Sequence, residues 1–339
     1  MAFVKGTQVL SENGWKNIED VGGIDRLLIR NFLGDAQFEK PFAVKKRNYK
    51  GNIVIGNSKT CEFKVTPEHE IVYRDKAGAI HKTTAQDVIA QRETYLHHRS
   101  RYAPDGYIWK QKIRNGGHTY GVDKLDWYKL CGFVLKRGQI SKHNVRLTLR
   151  LDKSNIKKDM ELICPVLDNL GLKWTFTEPD LVVLSQKSNI ANKLARSLGS
   201  RFRKKMYIPN KMIYSASIED GAALIDAFIR TSRRDGKGVG EIVQFATTNK
   251  GLIDSMAILG TLCGYTVSYI LAKPAGAPLP AGVTKNDSYA VYVRKSVIGV
   301  SIINKREENY DGKVYELDIF NDQVLIRGSG CLPMWMKPK

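Results

Sequence analysis

The sequence predicts an all-β module interrupted by an α+β domain that carries a pseudo-two-fold repeat. Three observations lead there. Both ends of the chain are short runs in which apolar and polar residues alternate, punctuated by Gly, Asn and Lys. The middle switches to helical spacing, and the order helix, strands, helices occurs in it twice. A length of 339 residues suits two domains, and an insertion lets both β-rich ends belong to one host module. The expected division is 1–118 and 287–339 for the β module, with 119–286 between them.

In chain order, residues 3–21 read as a β-hairpin about the Ser11-Glu12-Asn13-Gly14 turn, then a helical turn at 18–21. Further strands are expected at 27–32, 41–47, 51–56, 60–65 and 69–74. From 92 to 117 the chain becomes basic, aromatic and turn-rich, which marks a boundary. A helix over 126–137 follows, with Asp123 or Asp126 as N-cap and Trp127 anchoring its entry. Its segment LCGFVLKRG puts Leu130, Gly132 and Phe133 on one face. A strand (144–151) and helices (154–170, 187–200) come next, with strand-like WTFTE and LVVLS between the helices. After the basic run RFRKK, a helix over 219–232 repeats the pattern with Leu224, Ala227 and Phe228. A strand (241–247), a helix (249–264) and a strand (266–272) complete the second half. In each motif helix a small residue lies where a facing helix can come close. KPAGAPLPAG (273–282) reads as a loop, and short strands then return, with a turn at Asp311-Gly312.

Composition narrows the partners. The net charge is +20, from 54 basic and 34 acidic residues. That excess suits a polyanion, nucleic acid ahead of an anionic membrane. No run reaches transmembrane length, and the N-terminus lacks a signal-peptide core. The five cysteines are an odd, scattered set without a CxxC pair. They read as reduced thiols in an intracellular protein, with no disulfide and no structural zinc.

The two ends carry a series of motifs in a fixed order. Phe3-Val4-Lys5-Gly6-Thr7, with Gly14-Trp15 and Ile18-Glu19, is followed by Val65-Thr66-Pro67-Glu68-His69. Then come Gly312-Lys313-Val314-Tyr315-Glu316-Leu317 and the Gln323–Trp335 segment with its Pro-x-Trp. Taken together these ends resemble an intein, a Hint-type (horseshoe-like) protein-splicing domain. The middle, with its two small-residue helices, resembles a LAGLIDADG homing endonuclease. The resemblance spans essentially the whole chain. It implies autocatalytic splicing out of a host protein, whose flanking exteins would be partners and whose location the chain would follow. It also implies sequence-specific binding and cleavage of double-stranded DNA, with Mg²⁺ serving the cleavage and no cofactor serving the splicing. A monomer with no membrane partner is expected.

Splicing begins when the first side chain attacks its own preceding carbonyl. A His that protonates the leaving nitrogen and a Thr that stabilises the oxyanion make physical sense there. The resemblance gives these roles to His69 and Thr66. Two positions depart from the family. The nucleophile position is Ala2, and a methyl group cannot perform an acyl shift. The terminal-Asn position falls on Pro338, which has no amide to cyclise, and Cys331 lies several residues too early to substitute. Splicing is therefore expected to be disabled.

The middle departs as well. The family's paired helices end in carboxylates that hold metal against each DNA strand. Here Arg137 occupies the first acid position and Ser232 the second; Asp235, before Gly236, restores an acid and a metal ligand only if Ser232-Arg233-Arg234 is an insertion. Cleavage is expected to be impaired. Lys205 or Lys204 would be the polarising basic residue, or else a phosphate contact. Arg201, Arg203, Lys204, Arg230, Arg233 and Arg234 suit phosphates. Arg146, Thr148, Arg150 and Gln244, with Thr247 and Tyr269 behind them, are candidate base readers from strands laid in the major groove. Two other readings use the same residues: a non-cleaving DNA-binding protein on this scaffold, and a Hint processing domain with a structural insert.

Overall fold

The computed structural model describes the chain apart from residues 32, 59–60, 92–93, 97–100, 103–111, 116–117, 142–145, 185–188, 201, 203–204, 231–242, 280–281, 296–299, 321–322, 329–330 and 339. Two compact units emerge. One comprises Met1–Ala103, Gly264–Ile270 and Lys295–Lys339, the other Pro104–Cys263 and Leu271–Arg294.

The first unit is built of strands. Phe3–Val4, Asn304–Asp318, Ala43–Asn57 and Glu62–Val65 close into a small barrel. A larger sheet joins Gln8–Ser11 and Leu27–Arg30 to Gln323–Arg327 and Met334–Met336, so segments from both chain ends hydrogen-bond side by side. Its apolar alternation buries Val9, Leu27, Ile29, Val324 and Ile326 in one cluster with Phe3, Val65 and Leu317. The first hairpin is the expected one. Ser11 pairs with Gly14, and the Ser11 hydroxyl donates to the Gly14 carbonyl at 2.8 Å. A 3₁₀ turn follows at Ile18–Asp20.

Two sequence expectations fail here for one reason. The separate strands at 41–47 and 51–56 are a single fifteen-residue strand, Ala43–Asn57. The expected turn at Asp311-Gly312 lies inside its partner, Asn304–Asp318, and the two pair without a break from Asn57↔Asn304 to Ala43↔Asp318. Glycine inside a strand can mark a close approach rather than a turn. Tyr310 faces Gly51 and Tyr49 faces Gly312 across the ribbon. A Cβ on Gly312 would lie 2.7 Å from the Tyr310 Oη. Each tyrosine hydroxyl then donates to a carbonyl three residues on, Tyr49 to Asn52 at 2.8 Å and Tyr310 to Lys313 at 2.9 Å. The glycines make room for aromatic rings, and the ribbon runs straight past them.

The second unit contains the expected helix pair. The helix Lys124–Arg137 is capped by Asp123, whose carboxylate accepts from the Asp126 amide at 2.9 Å, and Trp127 is buried at its entry. It packs on the helix Ile218–Arg230. The approach is closest at Gly132, where an added Cβ would lie 2.3 Å from the Leu224 carbonyl oxygen and 2.9 Å from the Ala227 Cβ. Small residues do let these helices meet. The first helix feeds an antiparallel sheet ordered Gly138–Ile140, Leu147–Arg150, Leu181–Leu184, Trp174–Glu178, with helices at Ile156–Asn169 and Ile190–Ser197. After the second helix come Val243–Thr247 and the helix Lys250–Cys263. Ser288–Lys295, expected to open the returning β module, instead pairs with Val243–Thr247. Its apolar alternation is the same in either place, so pattern alone could not assign its partner. Among the described residues no helix is long and apolar enough to cross a membrane.

Candidate functional sites

In the first unit the barrel register sets the geometry. Phe3 pairs with Val65 in antiparallel sense, which brings the preceding Ala2 opposite the following Thr66. The Thr66 amide donates to the Ala2 carbonyl at 3.1 Å, and the Ala2 amide donates to the Thr66 Oγ1 at 3.0 Å. The peptide between Met1 and Ala2 is thereby gripped by a fully buried threonine. A tight turn, His69 amide to Thr66 carbonyl at 3.0 Å, then places the histidine beside it. The His69 ring stands edge-on to Phe3, with centroids 4.8 Å apart. It is fully buried, and the backbone groups of Lys337 and Ala2 face it. Neither ring nitrogen completes a hydrogen bond to another described residue. Burial drives the His69 pKa down to about 3 against these carbonyls, so the ring is neutral around pH 7.

Sequence motifs from the two ends of the chain thus converge on one histidine. Pro338 is buried next to Lys337, whose ammonium pairs with Glu70 at 3.0 Å. Ala2 is also fully buried. Reading the sequence missed Glu68: its carboxylate accepts from the Thr66 hydroxyl at 2.7 Å, and Arg47 approaches it at 3.9 Å while donating to Glu316 at 3.0 Å. The signal was present in Thr66-Pro67-Glu68-His69, where an acid separated from the threonine by one residue can reach back to it. All five cysteines are free; burial pushes Cys61 and Cys263 up to about 12 and Cys131 higher still. Inert thiols are what such burial produces.

In the second unit, Arg137 ends its helix with the side chain largely buried. Its guanidinium pairs with Asp152 at 3.2 Å and lies 3.9 Å from Asp159. Asp152 in turn accepts from the Ser154 hydroxyl and amide, and its own amide donates to Asp159. These bonds, led by Ser154, hold the Asp152 carboxyl below its usual range, whereas burial raises Asp159. Beside Arg137, the Lys136 ammonium lies 5.3 Å from both the Phe228 and Phe245 rings, at a cavity of about 440 Å³ that Thr247 and Thr248 also line. Ser232 and Asp235, with Arg233, Arg234 and Gly236, lie outside the described residues. So do Arg201, Arg203 and Lys204.

The candidate readers divide. Arg146, Thr148 and Arg150 alternate with buried Leu147 and Leu149, so they share the open face of their strand. Arg150 is engaged by Asp180 at 3.0 Å and Glu178 at 3.5 Å. Gln244 is exposed, but Thr247 has the opposite parity and lies on the side of Phe245, toward the cavity. Tyr269 keeps its hydroxyl buried. Lys205 and Arg230 are exposed, Lys205 with its amide bonded to the Phe202 carbonyl.

No family model and no curated protein matches the chain. Solved structures of two kinds are similar to it. A splice-inactive variant of the AceL NrdHF class 3 split intein shares 22% identity over 36% of this chain and 71% of its own, with a TM-score of 0.25. A bacterial intein-like domain from Clostridium thermocellum shares 20% over 28% of this chain and 65% of its own, also at 0.25. Mesophilic variants of the homing endonuclease I-DmoI share 13% over 50% of this chain and 83% of theirs, at 0.32. An I-DmoI variant solved with its target DNA and magnesium shares 14% over 50% of this chain and 89% of its own, at 0.31. The chain therefore resembles inteins on one side and a homing endonuclease on the other. Scores this low assign neither activity to it.

Proposed function

We propose that this chain is an intein-type splicing domain formed by its two ends, interrupted by a LAGLIDADG-type domain that includes the strand Ser288–Lys295. It binds double-stranded DNA and is disabled in splicing and impaired in cutting. The observation that carries the first half is the convergence on His69. A gripped peptide bond from one end of the chain and the backbone of Lys337 from the other meet at one buried imidazole. Thr66 and His69 are the surviving machinery; Ala2 and Pro338 occupy the positions where a nucleophile and a cyclising amide would act. In the precursor, exteins would extend from both sides of this point.

For the second half, the helix crossing at Gly132 and the charge of +20 favour a DNA-binding scaffold. Arg146, Thr148, Arg150 and Gln244 are its base-facing candidates, with Lys205 and Arg230 toward phosphates. A resident Mg²⁺ does not fit the first helix end, because a guanidinium already occupies the space beside Asp152 and Asp159. Among the described residues no group of three or more potential ligands gathers. Binding without efficient cleavage is therefore the activity we assign.

The test has two arms. A full-length chain carrying Ala2→Cys, with a reporter domain fused ahead of Met1, is treated with an added thiol. Release of the reporter supports the splicing-type site; a stable fusion sinks it. Separately, affinity for duplex DNA is measured against salt. Several phosphate contacts predict a loss of about 10³-fold or more between 50 and 200 mM. A flat response removes the DNA reading and leaves a processing domain with a structural insert.

A further inference from the structure

We infer that Glu68 is a positioning residue whose carboxylate fixes the Thr66 hydroxyl with its oxygen turned to the amide nitrogen of residue 2. This rests on the splicing-type reading of the site. A hydroxyl has one proton to give. Thr66 gives it to Glu68 at 2.7 Å, and its oxygen accepts from the Ala2 amide at 3.0 Å. No proton is left for the Met1 carbonyl oxygen. The hydroxyl therefore serves nitrogen: it is an acceptor polarised by an anion, aimed where positive charge develops as an amide nitrogen departs as an amine. Burial keeps the His69 ring neutral near pH 7, so its one N–H is a weak acid and the charge developing on the nitrogen is met by the Thr66 oxygen.

With a thiol at position 2 the step balances without any other reactant. Sulfur forms a bond to the Met1 carbonyl carbon, the carbon–nitrogen bond breaks, and the thiol proton ends on the freed amine. The peptide becomes a thioester isomer with no change in oxidation state. The Glu68–Thr66 pair stabilises the protonated nitrogen on the way.

The surroundings favour an ionised Glu68. Arg47 faces it from the ribbon strand at 3.9 Å and is itself held by Glu316; the Met1 ammonium lies at 3.4 Å. Tyr49 on the same ribbon strand and His69 on the following turn also sense its charge. Burial would raise the Glu68 carboxyl, but the Thr66 hydrogen bond and the ammonium outweigh it and hold it below the usual range. In a fusion the ammonium becomes an amide, and Arg47 is the cation that remains.

The experiment uses the full-length reporter fusion. In the Ala2→Cys chain, thiol-induced cleavage is followed from about pH 3 to 8, a range that extends below ordinary carboxyl titrations because Glu68 is held lower. The rate is expected to fall on the acid side as Glu68 protonates. Falling thiolate supply also slows every variant in acid, so Glu68 is read from the ratio of two rates. Glu68→Gln should be about tenfold slower than the parent where Glu68 is ionised, with the ratio closing as Glu68 protonates, while Glu68→Asp stays near the parent. Cleavage with an unchanged rate and profile in Glu68→Gln overturns the proposal. If Ala2→Cys alone does not cleave, the splicing-type reading has failed, and a second measurement judges Glu68 by itself. In the ¹⁵N-alanine-labelled fusion with native Ala2, assigned by its loss in Ala2→Gly, the Ala2 amide shift should follow a carboxyl titration that Glu68→Gln abolishes. A shift independent of Glu68 refutes the positioning role.

Discussion

Around Thr66 the departing residue is passive: Ala2 enters the site only through its backbone, and the groups that grip that backbone are intact. At the end of the Lys124–Arg137 helix the departing residue is active. Arg137 has been taken into a buried ion pair with Asp152, and Asp159 stands behind it. Both positions carry the wrong chemistry for the family they resemble, but the fold depends on only one of them. On the proposed reading, a departure from the family pattern is locally reversible where the side chain present is inert. It is not where the replacement has acquired structural partners.

The largest effect expected from this contrast is on stability. Replacing Arg137 with Asp to restore an acid should not restore cutting. It leaves two largely buried carboxylates unpaired and brings a third near them. Breaking a buried pair in this way costs about 3–5 kcal/mol. The denaturation midpoint of Arg137→Asp should fall accordingly, and incubation with Mg²⁺ and DNA should give no new breaks. Metal-dependent cleavage in a variant of unaltered stability would erase the distinction between the two sites.

The helix pair offers a related test in the same unit. An alanine at Gly132 would press its methyl against the Leu224 carbonyl and the Ala227 methyl. Overpacking of this kind costs about 1–3 kcal/mol. Urea unfolding of Gly132→Ala should show the loss, whereas Gly171→Ala, a position with open space, probes only its left-handed backbone.

How far these features could be read in advance differs between them for physical reasons. The helix pair was legible because Gly132 and Ala227 fall at helical spacing on apolar faces, and because capping at Asp123 is a local event. Thr66 and His69 were legible as a motif, since the turn between them is short. The straight ribbon was not. Gly51 and Gly312 punctuate the sequence as turn residues do, and only the rings of Tyr49 and Tyr310, each two residues earlier on the same strand and folded over the glycine, explain them. The pairing of Arg137 with Asp152 was hidden for a similar reason: it depends on how the chain returns after the strand Leu147–Arg150. Ser288–Lys295 was misassigned because a strand's alternation reports a buried face, not which neighbour covers it.

Acid stability should isolate the splicing-type site. The folded His69 pKa is about 3, below the unfolded value of about 6.5. The folded state therefore binds fewer protons than the unfolded chain between those values. Stability contributed by the neutral ring is complete above about pH 6.5 and is lost as pH falls toward 3, by at most about 1.4 kcal/mol per unit. Between about pH 6.5 and 5 ordinary carboxylates stay ionised, so this window belongs to histidines. Chemical denaturation there should give a slope that His69→Gln reduces. An unchanged slope would mean that the ring is hydrated rather than buried.

The smallest effect is the most discriminating. Ala2→Cys adds one heavy atom at a fully buried position, a change of about 1 kcal/mol if the neighbouring Phe3 and His69 rings yield slightly. Its urea midpoint should lie close to that of the unaltered chain and well above that of Arg137→Asp. Both substitutions introduce a residue type used at the matching position of the families the chain resembles, Ala2 at a fully buried position and Arg137 at a largely buried one. Only the difference in what the replaced side chain touches separates them: a methyl group makes no polar bond, whereas the guanidinium bonds Asp152 and lies 3.9 Å from Asp159. Equal destabilisation by the two variants would show that Ala2 is packed as tightly into its unit as Arg137 is bonded into its own, and the first site would then be no more recoverable than the second.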